Sequence, residues 1–423
     1  MYLSAPFNRI PMKVSLPLLL FFTSLHVLSA QTKGSLKAAE ALFEKEKYTE
    51  VITQLDPLLE DAGQLSDKER INAYFLRGQA YYEITQDVYL LGLYPEAFFR
   101  AYADLDQVTA LDEKGKYQSL AFAKIQNMRS AMMSNALRKV NEANIPNLSS
   151  NQVADLANTA QQFLDILIGL EPNNYLFFDL RGQAQLARQD SLPAAMDFQT
   201  AIRLYHDYPP AQADLLLTYA YYRTALIQRI SLNYDQQALN TIRAGRRFLQ
   251  QAWSKADQED PRQEKNYDQA ARDLTLLELD ILYSKEAYQA EALVKFAQAV
   301  EKYPLEYSLH CAYASLLEAP NPEAAISQYK KAIALDPSRK LAYYNLAALY
   351  VNQSVDMLKG KTADNRTPLE QRADQLALKA VPFLEKAHEI DPQDKQIIRQ
   401  LMTIFLRTKQ TGRYQFYKAK LTD

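Results

Sequence analysis

The chain has 423 residues, enough for two or three ordinary domains or one long repeat array. Gly is scarce at 10 residues, and strand-like alternation joined by Asn-Gly or Gly-Gly turns is absent, which excludes a β-rich fold and predicts an all-α protein. A net charge of -2 with a pI near 6.2 excludes a strong electrostatic pull toward nucleic acid or anionic lipid.

Residues 1–30 read as a secretory signal peptide. Lys13 precedes the apolar run VSLPLLLFFTSLHVLSA, and the small pair Ser29-Ala30 predicts cleavage before Gln31; an uncleaved N-terminal anchor is the competing reading. No Cys follows the run, which argues against a lipid anchor, and no later segment offers a bilayer-spanning apolar stretch. The chain is therefore expected to be exported.

Helical hairpins follow in order. Residues 34–62 form a first pair, and Ser66 with Glu69 makes a capping box for the next. That second pair contains INAYFLRGQAYYEI and YPEAFFRAYADLDQVTALD, with Ala101, Leu105 and Val108 as its buried stripe. Between them lies DVYLLGLYP, an apolar insertion that either packs on the scaffold or forms a contact surface. A third pair covers 114–169, its second helix starting at Ser149-Ser150-Asn151. The fourth repeats Leu76-Arg-Gly-Gln-Ala80 letter for letter at Leu180 to Ala184, a mark of internal repetition, and ends at Tyr208-Pro209-Pro210. Residues 211–257 form a longer hairpin, where Arg243, Arg246 and Arg247 read as a solvated helix face. The polar stretch 258–272 is expected to be a hinge between an N-terminal part, 31–257, and a C-terminal array, 273–423.

In that array Ala292/Phe296/Ala299/Pro304, Ala325/Tyr329/Ala332/Pro337 and Ala380/Leu384/Ala387/Pro392 recur at matching positions. An excess over 351–375 lengthens both helices of the last such repeat, and the final pair has polar outer residues suited to cap a stack. The centre of the pattern is PEAAISQYKKAIALDP followed by LAYYNLAALY, Pro322 to Tyr350, with small residues at Ala325, Ala332 and Ala347 beside Tyr329, Tyr343, Leu346 and Tyr350. This small-and-aromatic spacing resembles the tetratricopeptide repeat (TPR) family. The match is clear over 273–421, moderate over 34–206 and poor over 207–270, and the C-terminal part looks like exported TPR proteins of Gram-negative bacteria. The resemblance implies an all-α TPR-type solenoid of about nine antiparallel helix pairs, a periplasmic setting, and a groove for a protein or peptide along the first helix of each pair.

Asn72, Phe75, Gln79 and Tyr82, and further on Tyr307, His310, Tyr344 and Asn352, are the candidate groove residues; several of the rings could instead pack against neighbouring helices. Some TPR proteins clamp a chain-terminal carboxylate with Lys and Asn. Here His310 and Tyr344 stand at the Lys positions and Ala314 and Ala348 at the Asn positions, with Asn345 the single match, so that function is not carried over. No phosphate loop, nucleophile elbow, zinc-protease motif or CxxC pair is present, and no cofactor, metal or catalytic residue is expected. Glu385-x-x-His388 has di-iron spacing but stands alone, Cys311 reads as a buried inert thiol, and Asp190-Ser191-Leu192, which resembles a glycosylation site, reads as a helix start. The competing functional readings are a glycan-binding part of an outer-membrane uptake system, against which the single Trp253 and the missing lipid-anchor Cys both argue, and an enzyme of helical fold, for which no site is visible.

Overall fold

A computed structural model describes residues 35–113, 115–210, 215–256, 259–359 and 366–422; the expected signal peptide and part of the 351–375 excess lie outside them. No strand occurs among the described residues, and none of their helices is long and apolar enough to cross a membrane. The chain divides into two compact units at Pro209/Pro210.

The first unit holds α1 (35–43), α2 (Tyr48–Glu60), α3 (Asp67–Gln86), α4 (Val88–Leu93), α5 (Ala97–Leu111), α6 (Lys116–Ala143), α7 (Ser150–Leu170), α8 (Tyr175–Ala187) and α9 (Ser191–Asp207). The hairpins α3/α5, α6/α7 and α8/α9 each pack closely, and α2 packs on α3. The Ser66–Glu69 capping box is present, and Ser149 with Gln152 makes a second at the start of α7; each satisfies amide donors that a helix start leaves open. The expected stripe of α5 is fully buried at Ala101, Leu105 and Val108.

The duplicated LRGQA sequence has a physical explanation. Leu76 and Leu180 are buried, and Ala80 and Ala184 are completely so. A Cβ on Gly182 would lie 2.7 Å from the ring of Phe198, and one on Gly78 would lie 3.0 Å from Leu105. Hydrogen in place of a side chain is what lets α3 approach α5, and α8 approach α9, so closely. The Arg between them is a staple. Arg77 donates from Nε and Nη2 to the two oxygens of Asp104, at 2.7 and 2.8 Å, and from Nη1 to Asp56 at 2.8 Å. Arg181 repeats the fork with Asp197 (2.8 Å twice) and Asp165 (2.7 Å). Each Arg thus ties its own hairpin to the last helix of the preceding one. Burial works against the charge on Arg77, but its hydrogen bonds to Asp104 and Asp56 outweigh it and raise its pKa.

The second unit holds α10 (Thr218–Ile230), α11 (Asp235–Trp253), α12 (Pro261–Tyr283), α13 (Gln289–Lys302), α14 (Tyr307–Leu317), α15 (Pro322–Leu335), α16 (Lys340–Lys359), α17 (Arg366–Leu378), α18 (Val381–Ile390), α19 (Lys395–Arg407) and α20 (Thr411–Thr422). The polar stretch expected to be a hinge is already helical from Pro261, at the first turn where proline costs no hydrogen bond. The repeating Ala/aromatic positions are core: Ala292, Ala325, Tyr329, Ala332, Ala380, Leu384 and Ala387 are completely buried, and Phe296 and Ala299 nearly so. The 351–375 excess lengthens the first helix to Lys359. It does not simply lengthen the second, which is divided into α17 and α18 by a turn at 379–380. Pro382 lies in the first turn of α18, where its missing N–H breaks continuity with α17. Arg407 then binds α19 back to this repeat, donating to Ser354 Oγ at 3.2 Å and to the carbonyl of Ala373 at 2.9 Å.

Among the described residues, five hairpin turns pass through a non-glycine residue with positive φ, at Glu46, Asn147, Gln189, Asn233 and Lys409. Two are Asn, the side chain that tolerates this conformation best after Gly.

Candidate functional site

A helix in an array covers one stripe with its neighbours and leaves the opposite one open. On α16 the covered stripe is Ala342, Tyr343, Leu346, Ala347, Leu349, Tyr350 and Ser354. The open stripe follows at helical spacing: Leu341 (53% exposed), Tyr344, Asn345, Ala348, Asn352 and Val355. It alternates apolar surface with amide groups. Successive first helices touch, α3 with α6 and α6 with α8 in the first unit, α10 with α12 and α14 with α16 in the second. Side chains also join them: Gln400 of α19 donates to the Tyr344 hydroxyl at 2.9 Å, and Tyr283 of α12 donates to Ser315 of α14 at 3.2 Å.

Three candidate groove residues are not on an open face, contrary to expectation. Phe75 is buried with its ring 4.6 Å from that of Tyr117. Tyr307 is buried and its hydroxyl accepts the Ala342 amide at 3.0 Å. His310 is 3% exposed, with Nδ1 2.6 Å from Gln328 Oε1 and Nε2 2.9 Å from the carbonyl of Pro304. Phe75 and Tyr307 are turned toward the next hairpin, and His310 toward α15 of its own, where a histidine with both nitrogens occupied offers nothing to a ligand. The other five are at least partly open. Asn72 donates to Glu40 at 3.0 Å, the Tyr82 ring lies 4.0 Å beneath Lys124 Nζ, Gln79 and Tyr344 are half-buried, and Asn352 is exposed. Asn72, Gln79 and Tyr82 are on α3 in the first unit, Tyr344 and Asn352 on α16 in the second.

The apolar insertion forms α4, which is packed down on one side and exposed on the other. Leu90, Leu91 and Tyr94 pack on the core, while Val88 and Tyr89 stand 89% and 75% exposed. Asp87 caps it, accepting the amides of Tyr89 and Leu90. The arginine cluster is not uniformly solvated, because Arg246 turns inward to Glu278, which is 1% exposed. Periodicity could have shown this, since Arg246 follows the buried Ile242 by four residues and precedes the buried Leu249 by three.

No grouping of metal-ligating side chains occurs among the described residues. Glu385 accepts from Tyr417 and Arg413, and His388 Nε2 lies 3.2 Å from Lys420 Nζ, so this pair serves the packing of α18 on α20. Burial pushes the Cys311 thiol up, away from the reactive thiolate. Ser191 opens α9, with Asp190 held by Arg188 at 3.0 Å. Trp253 packs on Tyr267, ring centroids 4.9 Å apart.

Residues 322–354 match the TPR repeat family, so the chain carries a TPR repeat in α15 and most of α16, within an all-α array of helical hairpins. No curated protein matches the chain. Among solved structures, YrrB, described as a TPR protein with an unusual peptide-binding site, is 15% identical over 56% of this chain and 96% of its own, with a TM-score of 0.37. The TPR domain of P58(IPK) is 15% identical over 90% of this chain and 99% of its own, with a TM-score of 0.28. Yeast Tom70 is 15% identical over 92% and 91%, with a TM-score of 0.26.

Proposed function

We propose that this protein is a non-enzymatic scaffold of the bacterial cell envelope, exported to the periplasm, that binds a protein or peptide along the open faces of its first helices. The observation that carries the reading is the open stripe of α16, within the segment that matches the TPR repeat. Its aliphatic and aromatic surface suits partner side chains, and the amides of Asn345 and Asn352 can pair with a partner's backbone. The envelope setting rests on the N-terminal apolar run and its small-residue end.

In-cell cross-linking through a C-terminal tag, with mass spectrometry of the captured proteins and of the mature N-terminus, tests both parts. A discrete envelope partner and a chain starting at Gln31 are the expected results. Recovery of no protein partner, together with retention on a polysaccharide column, would replace this reading with that of a glycan binder.

A further inference from the structure

We propose that a cavity between α11, α12 and α13 is a binding site for a carboxylate, presented by an acidic residue of the partner; the choice of a partner as its source rests on the scaffold reading above. The cavity has a volume of about 230 Å³ and brings Arg246, Lys295 and Lys302 together against a single acid, Glu278. Glu278 is already engaged, 2.6 Å from Arg246 Nη2 and 3.5 Å from Lys295 Nζ. Its role is to hold the guanidinium in place, which Thr275 Oγ1 assists at 3.2 Å from the same nitrogen. Two positive charges then remain uncompensated on the lining.

Three sets of donors belong to residues of this lining and have no protein acceptor among the described residues. Arg246 spends only Nη2 on Glu278 and Thr275, leaving Nε and Nη1. Lys302 has no ion-pair partner and rests over the Tyr303 ring, 5.3 Å from its centroid. The Tyr303 hydroxyl is buried with no hydrogen bond. A buried polar group of this kind costs stability unless something pairs with it. A planar carboxylate accepts from a guanidinium fork and from an ammonium and hydroxyl together. Leu249, Ala271, Leu279 and Ala299 give the remaining wall an apolar surface for a short aliphatic stem. The volume falls below the roughly 300–1,000 Å³ of sites for drug-sized ligands, and so suits one amino-acid-sized group. A dianionic phosphate is disfavoured by the fixed carboxylate of Glu278 on the same wall. Lys302 and Tyr303 also line a second, more open hollow of about 670 Å³ against α12, which gives a longer chain a way out.

The test is a ligand-observed NMR titration of the full chain with a capped hexapeptide bearing one central Glu, its Gln counterpart, glutarate and inorganic phosphate. The Glu peptide is expected to bind about tenfold more tightly than the Gln peptide, as befits a charge-assisted hydrogen bond. Lys302→Gln and Tyr303→Phe should each weaken it several-fold with circular dichroism unchanged; Tm should stay the same in Lys302→Gln and rise in Tyr303→Phe, which removes an unpaired buried hydroxyl. Lys302 is exposed and unpaired, so its variant isolates binding from folding. Glutarate binding as tightly as the Glu peptide would uphold the carboxylate site and overturn its assignment to a partner segment. Equal binding of the Glu and Gln peptides, tighter binding of phosphate, or indifference to Lys302→Gln would overturn the site. Partner capture by cross-linking, repeated with Lys302→Gln, separates the two proposals: an unchanged catch overturns this pocket's role and leaves the scaffold standing, whereas no catch from either chain counts against the scaffold.

Discussion

Arg77 shows how one side chain can hold an array together. Its fork closes on Asp104, whose side chain is 6% exposed, so removing the Arg leaves a buried carboxylate alone. Arg77→Met should cost about 3–5 kcal/mol, read from the urea midpoint of the full chain. Gly182 sets the opposite kind of constraint. Gly182→Ala should cost about 1–3 kcal/mol because its Cβ would push on the Phe198 ring. Gly169→Ala, which meets nothing within 4 Å in α7, should instead stabilise by up to about 1 kcal/mol. A destabilised Gly169→Ala would show that the α7 backbone needs more than helical geometry there. The repeated LRGQA letters by themselves mark the two Arg-Gly positions as equivalent. The acceptors Asp56, Asp104, Asp165 and Asp197 were not legible, because nothing local distinguishes a helix carboxylate that meets an arginine across a hairpin from one that meets water.

At the scale of elements, close approach and capping decide where helices go. Ala347 is completely buried on α16, and Ala347→Leu should lower stability by about 1–3 kcal/mol through overpacking. Lys330→Leu on exposed α15 surface is the matched control and should stay within about 0.5 kcal/mol of the parent. Gln328 would be a poor control, since it is the partner of His310 Nδ1. The terminal hairpin carries a pH dependence. His388 is 6% exposed, and burial followed by the charge of Lys420 lowers its pKa from the ordinary 6.5, with Asp391 and Glu389 opposing. A histidine with a lowered native pKa binds fewer protons folded than unfolded, so its stabilisation is present above 6.5 and declines as pH falls below it. Tm should therefore drop more steeply between pH 7 and pH 5 for the parent than for His388→Gln; parallel slopes would remove His388 from the account.

Across the whole molecule, stability should be local. One buried cluster runs from Leu36 to Ala184 within the first unit, and two others cover 225–316 and 307–417 in the second. Where each hairpin packs chiefly on its neighbours, a lesion weakens its own surroundings first. Hydrogen exchange should show Gly182→Ala loosening α8 and α9 and their neighbours while α16 to α20 keep their protection. Loss of protection throughout the chain would mean a single cooperative unit instead.

The helices themselves came from local chemistry. Apolar residues at 3.6-residue spacing, the Ser66–Glu69 box, the prolines at hairpin ends and the Ala/aromatic alternation each act within a few residues, so the all-α hairpin array followed from the order of letters alone. Which rings face solvent did not. Phe75, Tyr307 and His310 occupy first-helix positions as plausible for a groove as Tyr344, yet neighbouring helices cover them. The cavity beside Arg246 likewise joins residues from three helices that sequence distance keeps far apart. Burial and pairing are properties of what packs against a residue, and only the tertiary structure, which chooses the neighbours, decides them.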